Sequence, residues 1–194
     1  MKPVMDMLNV RYVIFRGTPP PDITPSFVGT DYWVLVNDRA MPRAFVPRRV
    51  QVITGSQARL NAMDRPDFDP ADIAYVEQPI ELPQDSVGTV EIVQDAYQRV
   101  ILQAQMQTSG LIVLADRWDA GWRAYVNDVE VPILRVNHAI RGVMLDPGSS
   151  TIRFVYSPPG FVQGFTITGA GGICLLTWAC VLIFRRRRDL NKQD

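Results

Sequence analysis

At 194 residues, 47% of them hydrophobic and 15 of them proline, the chain has room for one domain and an appendage, and it favours turns over long helices. The formal net charge is zero, and residues 1–160 carry 15 basic against 18 acidic side chains, which excludes the basic face that nucleic acid demands. Both cysteines, Cys174 and Cys180, lie six apart in a C-terminal apolar stretch where helical geometry points them apart. A disulfide framework is thereby excluded, and the thiol-free remainder suits an oxidising compartment.

Taken from the N-terminus, Met1–Asn9 is expected to form a short helix and Val10–Phe15 a strand, with Asp6 and Arg11 interrupting the apolar core a signal peptide needs. Thr18–Pro25 holds four prolines and reads as an extended linker. Tyr32–Val36, Ala44–Val46 and Val50–Thr54 follow as strands, the first two joined through Asn37-Asp38-Arg39. Ser56 is placed to cap a short helix reaching Met63. Asp67, Asp69 and Asp72 admit two readings: oxygen ligands for a hard cation, or a turn capped by Asp69 ahead of Pro70. The loop lacks the spaced ligands and closing Glu of a calcium loop, so the turn is the expectation. Ile73–Val76, Val87–Val93 and Tyr97–Gln105 continue the strands, with Gln94-Asp95-Ala96 as the connection between the last two.

From Leu111 to Pro158 hairpin signals follow one another. Leu111–Ala115 is a short apolar run of the kind a strand buried on both faces shows. Gly121 lies between Trp118 and Trp122, where a bend must return the chain. Arg123–Val126 and Val129–Leu134 flank Asn127-Asp128, both of which tolerate the positive φ of a tight turn. Ile140–Leu145 leads through Asp146-Pro147-Gly148 into Thr151–Tyr156, where Ile152, Phe154 and Tyr156 alternate with Thr151, Arg153 and Val155. Short strands at this spacing predict a mainly β fold: an antiparallel, jelly-roll-like β-sandwich.

Asp119-Ala120-Gly121-Trp122, Asn127-Asp128, Arg141-Gly142, Pro147-Gly148 and Tyr156-Ser157-Pro158, followed at once by a hydrophobic helix, resemble the C-terminal end of the YfhO family of bacterial membrane proteins. Upstream, Leu8–Ile14 and Pro42–Val46 resemble the same family's approach to this domain. Where the family has Tyr-Pro before Gly-Trp this chain has Asp-Ala, and the hairpin glycine is missing. The resemblance implies a polytopic protein with this β domain near its end, related to GT-C-type membrane glycosyltransferases that use lipid-linked sugars. In such enzymes the catalytic acids sit in loops between N-terminal spans, which this chain does not contain, so no catalytic role is carried over.

No charged residue occurs from Ser157 through Phe184, and Phe161–Phe184 exceeds the ~20 residues a helix needs to cross a bilayer. Arg185–Arg188 follows, which by the positive-inside rule sets the C-terminus in the cytoplasm and the β domain outside it. Nothing N-terminal is apolar enough to export that domain, so spans upstream in a longer protein are expected to deliver it. Gly164, Thr168 and Gly172 form a small-residue stripe on which another helix can pack closely. The expected organisation is residues 1–30 as an N-terminal strand and proline-rich linker, 31–160 as the extracytoplasmic sandwich, 161–184 as the transmembrane helix and 185–194 as a basic tail.

Chemistry is sparse. His138 is the only histidine, so a multi-histidine metal site is excluded, and neither a Gly-x-Ser-x-Gly elbow nor a phosphate loop is present. No cofactor, metal or catalytic residue is expected, and Asp116 with Asp119 is read as turn-capping. Trp118 and Tyr125, with Arg117, Asn137 and Arg141, are residue types that stack on sugar rings and bond hydroxyls. Two readings stand. Either these five contact a glycan or lipid-linked sugar, with Trp118 partly exposed beside Arg117 or Arg141 and Trp122 turned inward beside Ala124 and Val126, or the tryptophans fill the core of a module with no ligand. Expected partners are the lipid bilayer and other transmembrane helices, with no nucleic acid.

Overall fold

The computed structural model describes residues 1–80 and 85–190. Along the chain run α1 (Pro3–Met7), β1 (Tyr12–Arg16), β2 (Phe27–Val28), β3 (Tyr32–Val36), β4 (Ala44–Phe45), β5 (Arg49–Val52), α2 (Ser56–Met63) and β6 (Ile73–Val76). There follow β7 (Gly88–Ala96), β8 (Arg99–Met106), β9 (Gly110–Arg117), β10 (Trp122–Val126), β11 (Val129–Val131), β12 (Leu134–Val136), β13 (Ile140–Leu145), β14 (Gly148–Tyr156) and α3 (Phe161–Leu190). Two compact units result, Met1–Tyr156 and Ser157–Asp194.

In the first unit a five-stranded sheet, ordered β11-β10-β14-β8-β7, faces a six-stranded sheet, ordered β4-β9-β13-β12-β6-β5. Val100, Leu102, Ala104, Ile152 and Phe154 from the first sheet meet Ile112, Leu114, Val143 and Leu145 from the second. The opposite face of the six-stranded sheet packs a second core, in which Leu111, Val113, Val136 and Ile140 meet Met7, Met63 and Phe68. Strand β9 is thus apolar on both faces, which is why Leu111–Leu114 shows no alternation: a strand between two cores has no polar side to present.

The mainly β, largely antiparallel architecture ending in an apolar helix is as the sequence predicts. Several local features differ. The pair β5–β6 is parallel, because α2 makes the crossover between them, a connection that parallel strands require. Ser56 is the first residue of α2, with Gly55 in the cap position, and its hydroxyl lies 3.2 Å from His138 Nδ1 instead. Residues 94–96 belong to β7, so the hairpin reverses at Tyr97-Gln98, and a register shift near Val93 absorbs the offset. Val129–Leu134 is split at Pro132: β11 pairs with β10, while β12 crosses to the other sheet. β1 and β2 flank β3 in a three-stranded sheet with Phe15 stacked on the buried Trp33, and the proline-rich Thr18–Pro25 joins β1 to β2 without helix or strand. Gly121 has no positive φ; its N–H is held by Asp119 Oδ1 at 2.8 Å.

In the second unit, Gln163–Leu182 within α3 gives 20 residues, long and apolar enough to cross a membrane. The helix continues through the arginine block to Leu190, and the last four residues of the expected tail lie outside the described residues.

Candidate functional site

A cleft of about 720 Å³ opens at one end of the sandwich, with Arg43, Asp95, Tyr97, Asp116, Trp122 and Arg141 on its walls. An adjoining depression is lined by Tyr97, Arg117, Asp119, Trp122 and Tyr156. The positions follow from the strands. At the end of β9 the pairing with β13 jumps from Leu114–Arg141 to Arg117–Ile140, so Ala115 and Asp116 form a bulge. Bulges re-aim side chains, and Asp116 here meets two arginines. Arg141 lies on the face of β13 that carries Val143, and so projects between the sheets.

Arg141 is 1% exposed. Its guanidinium lies 3.8 Å from the Trp122 ring centroid and 5.1 Å from that of Phe154, and it donates to Asp116 Oδ2 at 2.7 Å. Arg43 grips the same carboxylate through Nε at 2.7 Å and Nη2 at 2.9 Å, while its Nη1 donates to Asp95 Oδ2 at 2.5 Å. A carboxylate between two guanidinia offsets the cost of burying Arg141. Burial pushes Arg141 down to about 10, against the pull of Asp116, so it remains a cation at neutral pH. Arg43 is held above its ordinary range, chiefly by the hydrogen bond to Asp116.

Around this base stand Tyr97, Trp122 and Arg117. Tyr97, at the hairpin tip, is 94% exposed. Trp122 is half-buried, its ring 5.1 Å from that of Tyr156. Arg117 is exposed and makes no side-chain hydrogen bond or ion pair among the described residues. Aromatic faces beside carboxylates and guanidinia make a surface that can stack on a ring and bond its hydroxyls.

The five residues singled out from sequence are not brought together. Arg117 and Arg141 share the cleft. Trp118 lines a separate cavity of about 150 Å³ with the Arg135 guanidinium 4.2 Å over its ring. It is half-buried, as a contact residue must be, but its neighbour is Arg135. Tyr125 lies under Arg153 on the outer face of the five-stranded sheet. Asn137 is 2% exposed, and its amide is spent on the Tyr75 N–H at 2.7 Å and on Met7 Sδ at 3.0 Å. Trp122, expected in the core, packs against its rim. Arg43, Asp95 and Tyr97 had no sequence signal, because they reach the cleft from positions 21 to 75 residues away from Trp118 in the chain.

The three aspartates of the Asp67–Asp72 loop are dispersed. Asp67 pairs with Arg65 at 2.7 Å, Asp72 pairs with Arg49, and Asp69 caps the Ala71 N–H at 2.9 Å. Among the described residues no group of His, Cys, Asp or Glu is arranged to hold a metal ion.

Residues 89–168 match the family model described as bacterial membrane protein YfhO. No curated protein and no solved structure matches the chain.

Proposed function

We propose that this chain, whose residues 89–168 match the family model described as bacterial membrane protein YfhO, is a non-catalytic extracytoplasmic β domain, anchored by α3, that contacts a glycan or lipid-linked sugar of the cell envelope. One observation supports the reading above others. Trp122, Arg141 and Tyr156 come from three separate motifs that carry the family resemblance, and Trp122 links them, lying against Arg141 in the cleft and against Tyr156 in the adjoining depression. Trp122 and Tyr156 offer aromatic faces, Tyr97 closes the open side, and Arg117, Asp119 and Asp95 offer donors and acceptors. Charges balance: three arginines and three aspartates line the two adjoining depressions, which favours a neutral sugar ring over a strongly anionic group. The arginines after the apolar run support this orientation.

The competing reading is an interaction module without a ligand. It is favoured by the closed pairing of Arg43, Asp116 and Arg141, which occupies both oxygens of the Asp116 carboxylate without a sugar. A glycan array probed with the full chain in nanodiscs separates the two. Glycan contact predicts selective signals that Tyr97→Ala removes with the melting temperature unchanged, because Tyr97 packs on nothing it stabilises. An array without preference supports the interaction module.

A further inference from the structure

The cavity that holds Trp118 is smaller than the end cleft and differs in charge. Glu77 and Gln78 follow β6, Trp118 leaves β9 with its N–H fixed to Ala139 O at 2.7 Å, and Ile133 and Arg135 flank the start of β12. Glu77 already serves Arg59. That arginine is 3% exposed, donates to Glu77 Oε1 at 2.5 Å, and spends Nη1 on the Ile53 and Thr54 carbonyls. A buried guanidinium needs its counter-ion, so Glu77 is not free to neutralise a second cation. Arg135 Nη1 lies 3.7 Å from the same Oε1, outside hydrogen-bond distance, and its guanidinium is held over the indole of Trp118.

Two guanidinia thus share one carboxylate, leaving one positive charge in excess at a concave site. The donors there lack acceptors: among the described residues the Arg135 guanidinium, the Gln78 amide and the Trp118 indole N–H make no hydrogen bond. The guanidinium that lies over Trp118 is a planar fork of donors, which can take a carboxylate through two parallel N–H···O bonds.

We propose that this cavity binds the carboxylate of an acidic sugar, with the Arg135 fork as its main contact. The second oxygen of Glu77, which has no partner among the described residues, accepts a neighbouring hydroxyl, and Ile133 packs against the C–H face of the ring. The site is independent of the end cleft: it shares no lining residue with it and selects by charge.

The test labels the full chain in nanodiscs with 5-fluorotryptophan and follows the Trp118 resonance by fluorine NMR, assigned with Trp118→Phe. Glucuronate, glucose and acetate are titrated in parallel, because glucuronate and glucose share a ring and differ in the carboxylate. The expected result is a saturable shift with glucuronate, and binding at least about tenfold weaker with glucose and with acetate. Arg135→Gln abolishes the shift while the Trp33 and Trp122 resonances stay in place, and Arg135→Lys weakens it. Equal response to glucose, equal response to acetate, no response, or a response that persists in Arg135→Gln each overturns the proposal. The contrast among ligands on the unaltered chain decides the matter even if a variant fails to fold.

Discussion

Asp116 accepts hydrogen bonds from two arginines, one of them fully buried, so its removal costs more than an ordinary surface ion pair. Asp116→Ala leaves Arg141 as an uncompensated buried cation, and we expect a loss of ~3–5 kcal/mol in chemical denaturation. Trp122 covers Arg141, so its truncation exposes the same charge to water and costs less than truncation of a wholly buried tryptophan. The acid side has a different origin. The Arg49 hydrogen bond holds the Asp72 carboxyl below its ordinary range in the folded state. Its contribution is therefore present above the unfolded pKa and lost as pH falls through the folded one. Asp72→Asn should flatten the decline of stability through the carboxylate range, measured as denaturation midpoints against pH. At this scale residue types were legible and partners were not. Asn137 carries the amide a sugar site wants, yet it sits at φ 45° in a tight turn and ties to Tyr75, 62 positions away. Nothing local in the sequence distinguishes those two uses.

Among the elements, the turns were the most readable. Asn127 and Asp128 have φ of 48° and 67°, the left-handed pair that the two-residue hairpin requires. A β-branched residue is strained there, so Asp128→Val should cost ~1–2 kcal/mol, read as a shift in denaturation midpoint. The Arg141-Gly142 motif also has a physical account. Arg141 faces the five-stranded sheet, and Gly142 faces the other core. A Cβ there would stand 2.7 Å from the Ile112 carbonyl oxygen and 2.9 Å from Val136 Cγ2. Gly142→Ala should therefore destabilise the domain by ~1–3 kcal/mol through overpacking. The parallel β5-α2-β6 crossover was not legible, since short strands separated by proline and aspartate have the same pattern in antiparallel company. The split of Val129–Leu134 was signalled by Pro132, whose missing N–H ends the ladder, although the run of apolar residues around it suggests a single strand.

For the whole molecule, the sequence conveyed a β domain followed by an apolar helix and undercounted the layers. The continuous apolar run of β9 was the sign of a strand with cores on both sides, one shared with the five-stranded sheet and one with α1, α2 and Phe68. The cleft was half legible. The motif residues Trp122 and Arg141, with Tyr156 in the adjoining depression, stand out in sequence, whereas Arg43, Asp95 and Tyr97 reach it only through the pairing of distant segments. The central claim is that this cleft faces away from the cytoplasm on a membrane-anchored domain. The most direct test is Tyr97→Cys, with Cys174 and Cys180 replaced by serine, expressed from the native locus and treated in intact cells with a membrane-impermeant thiol reagent. Tyr97 is almost fully exposed, so access depends only on which side of the membrane it occupies. The account predicts labelling in intact cells whose cytoplasmic thiols stay unmodified; labelling that appears only after lysis would contradict it.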